Sequence, residues 1–405
     1  MSFEGFCTHD EILTVKTKFK KTFGSDSKSQ IVVTPASLIL LGDHTHYNEG
    51  LLLTAALNKY SIVQIRKRDD RQINITNTDS TNGIAKSFSL LDIQNVDGTK
   101  FKTLTCLIKL LHKERFISSG FDCVISTSIP ECIGLGTTAA LEIGFVTAIK
   151  KIFKLSIDIK ELFLLVRKNE LNILGKISNK AHFYNIKFVK EGKLLFVDLR
   201  TLDYKPVPIP NQSFNIVVCD TGERISNPEN TCNERITECE VGVKGLRLYI
   251  WGIKNLRDVE LEFLLRHVHM LPKKIFNRVL YNVKERIRAE QATKFLKNKS
   301  LGEFGKLITE SHWSLTEDYE ISCDKCDFIV RESNGIQGVY GSKMISCSPL
   351  RSTFHIVDKA HSHSFTEEIK KNYFEKFGEE LKTYTFNLTS GLKELSQKEI
   401  QVTDI

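Results

Sequence analysis

Apolar residues recur along the chain with two spacings. Residues 31–41 (IVVTPASLILL) and 60–66 (YSIVQIR) are apolar, β-rich and bounded by turn formers, which predicts strands. Residues 121–129 (FDCVISTSI) alternate and predict another. From Thr137 to Phe153 (TTAALEIGFVTAIKKIF) the spacing becomes helical, with a threonine pair at the start. Residues 193–199 (KLLFVDL) and 214–220 (FNIVVCD) return to a strand pattern, and 230–311 is mostly helical and charged. A late strand is predicted at 353–357 (TFHIV) and a helix at 364–382. Strands and helices mixed without regular βαβ alternation predict an α+β fold. Pro206, Pro208 and Pro210 crowd the stretch 200–212, so a boundary is expected there, giving domains of 1–205 and 206–405.

Composition narrows the function classes. The 405 residues are 41% apolar and 26% charged, normal for a soluble chain. No run approaches the roughly 20 apolar residues of a membrane span, so no membrane partner is expected. The stretch MSFEGFCTHDEIL has no basic segment followed by an apolar core, and the ten cysteines are scattered. Reduced thiols in a cytoplasmic chain are therefore expected. The net charge of +8 is spread along the chain without a basic block, which argues for a solvated lysine-rich surface over a nucleic-acid interface.

The strongest chemical motif is Pro130-Glu131-Cys132-Ile133-Gly134-Leu135-Gly136-Thr137-Thr138-Ala139-Ala140. A strand ends, a small-residue loop follows, and a helix begins. Glycines let backbone approach an anion closely. The helix start supplies free N–H groups and the positive end of a dipole. Gly134, Leu135, Gly136, Thr137, Thr138 and Ala139 are thus candidate phosphate-binding residues, and the hydroxyls of Thr137 and Thr138 are candidate Mg²⁺ ligands. An ordinary threonine-capped helix would begin the same way. Neither GxGxxG nor a Walker-type P-loop is present.

This segment resembles the GHMP kinase loop, P-x-x-x-G-L-G-S-S-A-A, with threonine at both serine positions and Glu131 at a place usually small or apolar. Residues 34–50 (TPASLILLGDHTHYNEG) resemble the galactokinase signature A-P-G-R-x-N-L-I-G-E-H-T-D-Y-N-x-G. Residues 310–323 (ESHWSLTEDYEISC) resemble a second galactokinase segment, and 214–240 fits the strand and helix of that family's second domain. The resemblance implies the two-domain GHMP kinase fold, with the ligand cleft between domains, Mg-ATP as cofactor and a sugar as substrate. It implies sugar-site positions at Asp43, His44 and His46.

The same alignment exposes departures. The family's arginine falls on Ser37, its asparagine on Ile39, its glutamate on Asp43, its sugar-binding aspartate on His46, and a sugar-site tyrosine on Cys232. The catalytic aspartate falls on Ser178, Lys180 or His182, depending on the anchor used, and residues 171–190 contain no Asp or Glu at all. The family's third loop, G-A-G-F-G-G, is replaced after GSKM (341–344) and Ile345 by SCSPLR (346–351).

A positioned base contributes about 10²–10⁴-fold and a charge-stabilising arginine about 10³-fold or more. The expectation is a galactokinase-like chain that is catalytically impaired, a ligand-binding or regulatory pseudokinase whose Mg-ATP binding is weak or absent. Glu131 adds negative charge near the phosphates. Two alternatives stand beside it: an active ATP-dependent sugar-like kinase with a changed acceptor and His182 as substitute base, and an interaction protein with a protein partner and no small ligand. The lone pair Cys323/Cys326 and the HxH pairs His267/His269 and His361/His363 read as packing or surface residues.

Overall fold

The computed structural model describes residues 9–80, 83–96, 101–174, 179–210, 214–346 and 348–395. Its first sheet is built from β1 (Gln30–Leu41), β2 (Leu51–Lys67), β3 (Gln72–Asn77), β4 (Lys86–Ser89), β5 (Phe121–Thr127), β6 (Lys193–Asp198) and β7 (Tyr204–Pro208). A second sheet holds β8 (Phe214–Arg224), β9 (Val339–Ile345), β10 (Leu350–Asp358) and β11 (Lys382–Phe386), in the order β11-β8-β10-β9. The chain then returns, and β12 (Lys393–Leu395) pairs with β1 in the first sheet. The path through that sheet is β12-β1-β2-β5-β3-β4, with β6 and β7 continuing from β2.

The helices are α1 (His9–Phe23), α2 (Lys102–Lys113), α3 (Thr137–Ile152), α4 (Ile159–Leu174), α5 (Lys180–Phe188), α6 (Pro228–Leu246), α7 (Leu261–Arg266), α8 (Lys273–Lys297), α9 (Leu301–Glu317), α10 (Asp324–Ser333) and α11 (Ser362–Phe377). Mixed and largely antiparallel pairing gives the α+β class that the hydrophobic pattern predicts. Among the described residues no helix is long and apolar enough to cross a membrane.

β1 reads as one apolar run because all but Gln30 is buried. Its neighbour β2 extends well before the predicted start at residue 60. Pro35 pairs with Tyr60 while Ala36 pairs with Leu57, so Asn58 and Lys59 bulge out and break the alternation in sequence. Strand β7 lies in the first sheet beyond the expected division at 205, and the second sheet begins at Phe214. One hydrophobic core runs through both halves, from Leu38, Ala56 and Phe145 to Ile216, Leu307 and Phe354. The halves therefore share one interior.

Candidate functional site

The phosphate-type loop lies where β5 hands over to α3. Buried Ile133 and Leu135 anchor it, and Gly134 and Gly136 between them adopt positive φ (80° and 64°), a conformation that glycine supplies without strain. Gly136 precedes the first turn, so the N–H groups of Thr137, Thr138 and Ala139 have no partner within the helix. Thr137 Oγ1 donates to the Pro130 carbonyl at 3.4 Å, whereas Thr138 is exposed. Glu131 is exposed too, so water and salt screen its charge from this turn.

Ser37 and His182 meet beneath the end of this loop. The Ser37 N–H donates to the Leu135 carbonyl at 3.0 Å, and a Cβ on Gly136 would lie 3.3 Å from Ser37 Cβ and 3.0 Å from His182 Nδ1. Asn185, one turn along α5, orients the pair. Its amide nitrogen donates to the Ala55 carbonyl and to Ser37 Oγ, both at 2.8 Å, while its oxygen accepts from Thr54 Oγ1 at 3.0 Å. Ser37 Oγ therefore accepts from Asn185 and shares a further hydrogen bond with His182 Nδ1 at 2.9 Å. Burial pushes the His182 pKa down to about 4, so the ring is neutral at physiological pH. Of the three candidate base positions, His182 is thus brought to the loop. Lys180 is half-buried at the start of α5, and burial lowers its pKa. Ser178 lies outside the described residues.

The proposed sugar-site residues are held by the protein itself. Asp43 is buried, and its carboxylate sits 2.9 Å from Lys343 Nζ, which also reaches Glu285 at 3.4 Å. Glu285 accepts from the Gly42 N–H, from Ser311 Oγ and from Arg288 Nε, each at 2.8 Å. Burial raises the Asp43 pKa, with Lys343 opposing. Glu285 is brought down to about 2: burial would raise it, but Lys343, Arg288 and the Gly42 N–H outweigh that. His44 is buried at positive φ (56°), with Nδ1 3.2 Å from the Tyr47 hydroxyl, and burial keeps its pKa well below the ordinary value. His46 is half-buried and packs edge-on against Tyr47, ring centroids 4.8 Å apart. His44, Cys232, Ile345, Ser346 and Arg351 line a pocket of about 20 Å³. That is room for the centres of one or two waters.

The opposite wall closes on the loop. An ideal Cβ on Gly134 would fall 2.4 Å from Ile345 Cγ2, so the isoleucine methyl packs directly on the glycine backbone. The Leu350 N–H donates to the Cys132 carbonyl at 3.0 Å, and Ser352 Oγ donates to the Ile133 carbonyl at 3.3 Å. The segment that replaces the glycine-rich third loop is thus hydrogen-bonded to the phosphate-type loop it faces.

Two groups escaped the sequence reading. Glu142 on α3 faces Glu170 on α4. Burial and the neighbouring carboxylate push the Glu142 pKa well above the usual range, and Asn169 Nδ2 donates to Glu142 at 2.7 Å. The signal was a single charged residue in the otherwise apolar TTAALEIGFVTAI, four places after Thr138 and so on the same helix face. Lys343 and Glu285 gave no comparable signal, because they are far apart in sequence and only the fold joins them. Among the described residues no group of three or more His, Cys, Asp or Glu gathers as a metal site. What the loop offers Mg²⁺ is the two threonine hydroxyls, with the Glu142–Glu170 pair one turn behind. The HxH residues lie apart from the cleft elements: His267 bonds the Phe263 carbonyl at 2.8 Å, His361 neighbours Asp358 at 3.5 Å, and His269 and His363 are exposed.

The chain is similar to known proteins over most of its length. Residues 17–67 match the family model of the galactokinase galactose-binding signature, and residues 102–186 match that of the GHMP kinase N-terminal domain. A galactokinase of Fusobacterium nucleatum is 29% identical over 376 residues, covering 92% of this chain and 97% of the relative. A galactokinase of Roseiflexus sp. is 28% identical over 362 residues, covering 89% and 92%. The crystal structure of Lactococcus lactis galactokinase complexed with galactose superposes with a TM-score of 0.87 at 25% identity, covering 96% of this chain and all of that one. A mevalonate kinase structure shares the fold, with a TM-score of 0.63 at 20% identity.

Proposed function

The chain belongs to the galactokinase family of the GHMP kinase superfamily, and from that premise we propose that it is a ligand-binding or regulatory member in which phosphoryl transfer to a sugar is severely impaired. One observation carries this reading, the hydrogen-bond chain from Asn185 through Ser37 to His182. It places a neutral hydroxyl where the family signature has a cation, and it ties His182 Nδ1 to Ser37 in a hydrogen bond. A ring with a pKa of about 4 is also a poor proton acceptor at neutral pH. Asp43 is buried, with Oδ2 2.9 Å from Lys343 Nζ, so a sugar hydroxyl would have to compete with that ion pair.

Mg-ATP is the group this superfamily uses, and it would supply the transferable phosphoryl. The residues fit it in part. The first turn of α3 and the hydroxyls of Thr137 and Thr138 suit phosphates and Mg²⁺, while Ile345 occupies space against Gly134. Nucleotide binding that is weak and centred on residues 134–139 is the expected result. No disulfide forms among the eight described cysteines, which supports a reducing, cytoplasmic setting.

The decisive experiment measures MgATP turnover with galactose and a panel of sugars in a coupled assay, beside calorimetric titration with the nucleotide. Turnover on the order of 1 s⁻¹ with galactose would end the impaired reading. A second reading, an active kinase for another acceptor, draws on the placement of His182 beside Gly136. Turnover with a different sugar, lost in His182→Asn, would establish it.

A further inference from the structure

Cys323 and Cys326 lie at the start of α10 (Asp324–Ser333), where Cys323 is the N-cap residue and Cys326 the third helical residue. This spacing turns two side chains toward one end of one helix, where free N–H groups and the dipole favour a thiolate. The two are not equivalent. Cys323 is half-buried, while Cys326 is buried with Sγ 3.9 Å from the Ser352 carbonyl on β10. Hydrogen bonding from the Cys326 thiol, with a further contribution from the Cys326 N–H, brings the Cys323 pKa down to about 7 against an opposing desolvation. Cys326 is driven the other way, well above the usual thiol range, by Cys323 itself and by burial. Of the strands packed against this end, β8 presents Glu223, which disfavours the Cys323 thiolate, and β10 presents Arg351, which favours it; Asp327 on α10 bears on Cys326.

We propose that Cys323 and Cys326 form a thiol–disulfide exchange site for small-molecule disulfides, with Cys323 as the attacking thiolate and Cys326 as the resolving thiol. The juxtaposition of an accessible and a buried sulfur across one helical turn carries it, and it does not depend on the kinase reading. Cys323 thiolate attacks one sulfur of a disulfide RSSR, forming Cys323–S–S–R and releasing RS⁻. Cys326 then gives its proton to solvent, attacks the Cys323 sulfur and releases the second RS⁻. The protein dithiol is oxidised by two electrons, and the small disulfide is reduced to two thiols.

The test uses the full chain and oxidised glutathione, followed by intact mass and peptide mapping. Wild type should lose two titratable thiols and link residues 323 and 326 in one peptide. Cys326→Ser should stop at a mixed disulfide on Cys323. Cys323→Ser should leave Cys326 unreacted. Iodoacetamide at pH 7 should label Cys323 about tenfold or more faster than Cys326 in the native protein, and the two alike in denaturant. Cys326→Ala should shift the pH midpoint of Cys323 alkylation upward toward an ordinary thiol. Circular dichroism and melting temperature confirm that each variant folds. A stable mixed disulfide in wild type without ring closure overturns the resolving role. Oxidation confined to Cys106, Cys132 or Cys232, or equal labelling of the native pair, overturns the site.

Discussion

The candidate site has two parts that are built differently, a proposed nucleotide end and a proposed acceptor end. At the nucleotide end, Gly134, Gly136 and the first turn of α3 keep the backbone geometry of an anion site: two positive-φ glycines, anchored by buried Ile133 and Leu135, ahead of free N–H groups. At the acceptor end, positions that hold charge in the family signature carry Ser37 and His46, and the carboxylate that remains, Asp43, is enclosed with Lys343, Glu285 and Arg288. A backbone device of this kind needs only glycine and a helix start, so side-chain drift around it leaves it standing. A side-chain constellation fails when its members are exchanged, because each acts through the others.

The largest expected effect tests that contrast directly. Galactose phosphorylation should run about 10³-fold or more below an ordinary family enzyme in a coupled assay, and Ser37→Arg alone should not restore it. Ser37 is fully buried against Gly136 and His182, so the longer side chain has no slot to enter. Robust turnover in that single variant would show the acceptor end to be intact but for one residue. Next in size is the ion cluster. Lys343→Met should destabilise the chain by about 3–5 kcal/mol in urea unfolding, because it leaves the buried Asp43 carboxylate without its cation. A loss under 1 kcal/mol would mean that Asp43 is free to serve a ligand.

At the nucleotide end, Thr138→Leu should weaken MgATP binding tenfold or more by calorimetry while leaving the melting temperature nearly unchanged, since Thr138 is exposed. The pH response belongs to the acceptor end. His182 has a folded pKa of about 4, below the unfolded value of about 6.5. The unfolded chain therefore binds the extra proton between these values, and the contribution of His182 to stability is complete above pH 6.5 and lost as pH falls toward 4. Because the ring is partly exposed, the loss over that window should be about 1 kcal/mol, visible as a flatter stability–pH curve in His182→Asn. A curve identical to wild type would place the ring in water. The smallest effect is that of Glu131→Gly, which should tighten MgATP binding only a few-fold at low salt and not at all at high salt, given the exposure of Glu131.

The fold was legible where periodicity and burial coincide. The helix from Thr137 and the strands at 31–41, 121–129, 193–199 and 214–220 stand within a few residues of their places in the structure. Reading failed where tertiary pairing overrides local pattern. The first half of β2 was hidden by the Asn58–Lys59 bulge, and the short edge strands β4 and β12 carry too few apolar residues to announce themselves. In the site, the loop could be read because its chemistry is contiguous. That Ser37 and His182 touch, 145 residues apart, is a product of topology. The glutamate inside the apolar α3 was readable as an anomaly, but its partner on α4 was not.

The return of β12 to the first sheet has a consequence for how the chain is made. Ile31, Val32 and Val33 on β1 gain their outer partners only from residues 393–395, and Glu394 there meets Lys151 at 3.2 Å. During synthesis this edge of the sheet that carries the phosphate-type loop therefore stays uncovered until residues 393–395 have been made. An uncovered strand edge is a template for pairing with another chain. The nascent chain must shelter that edge until β12 has emerged.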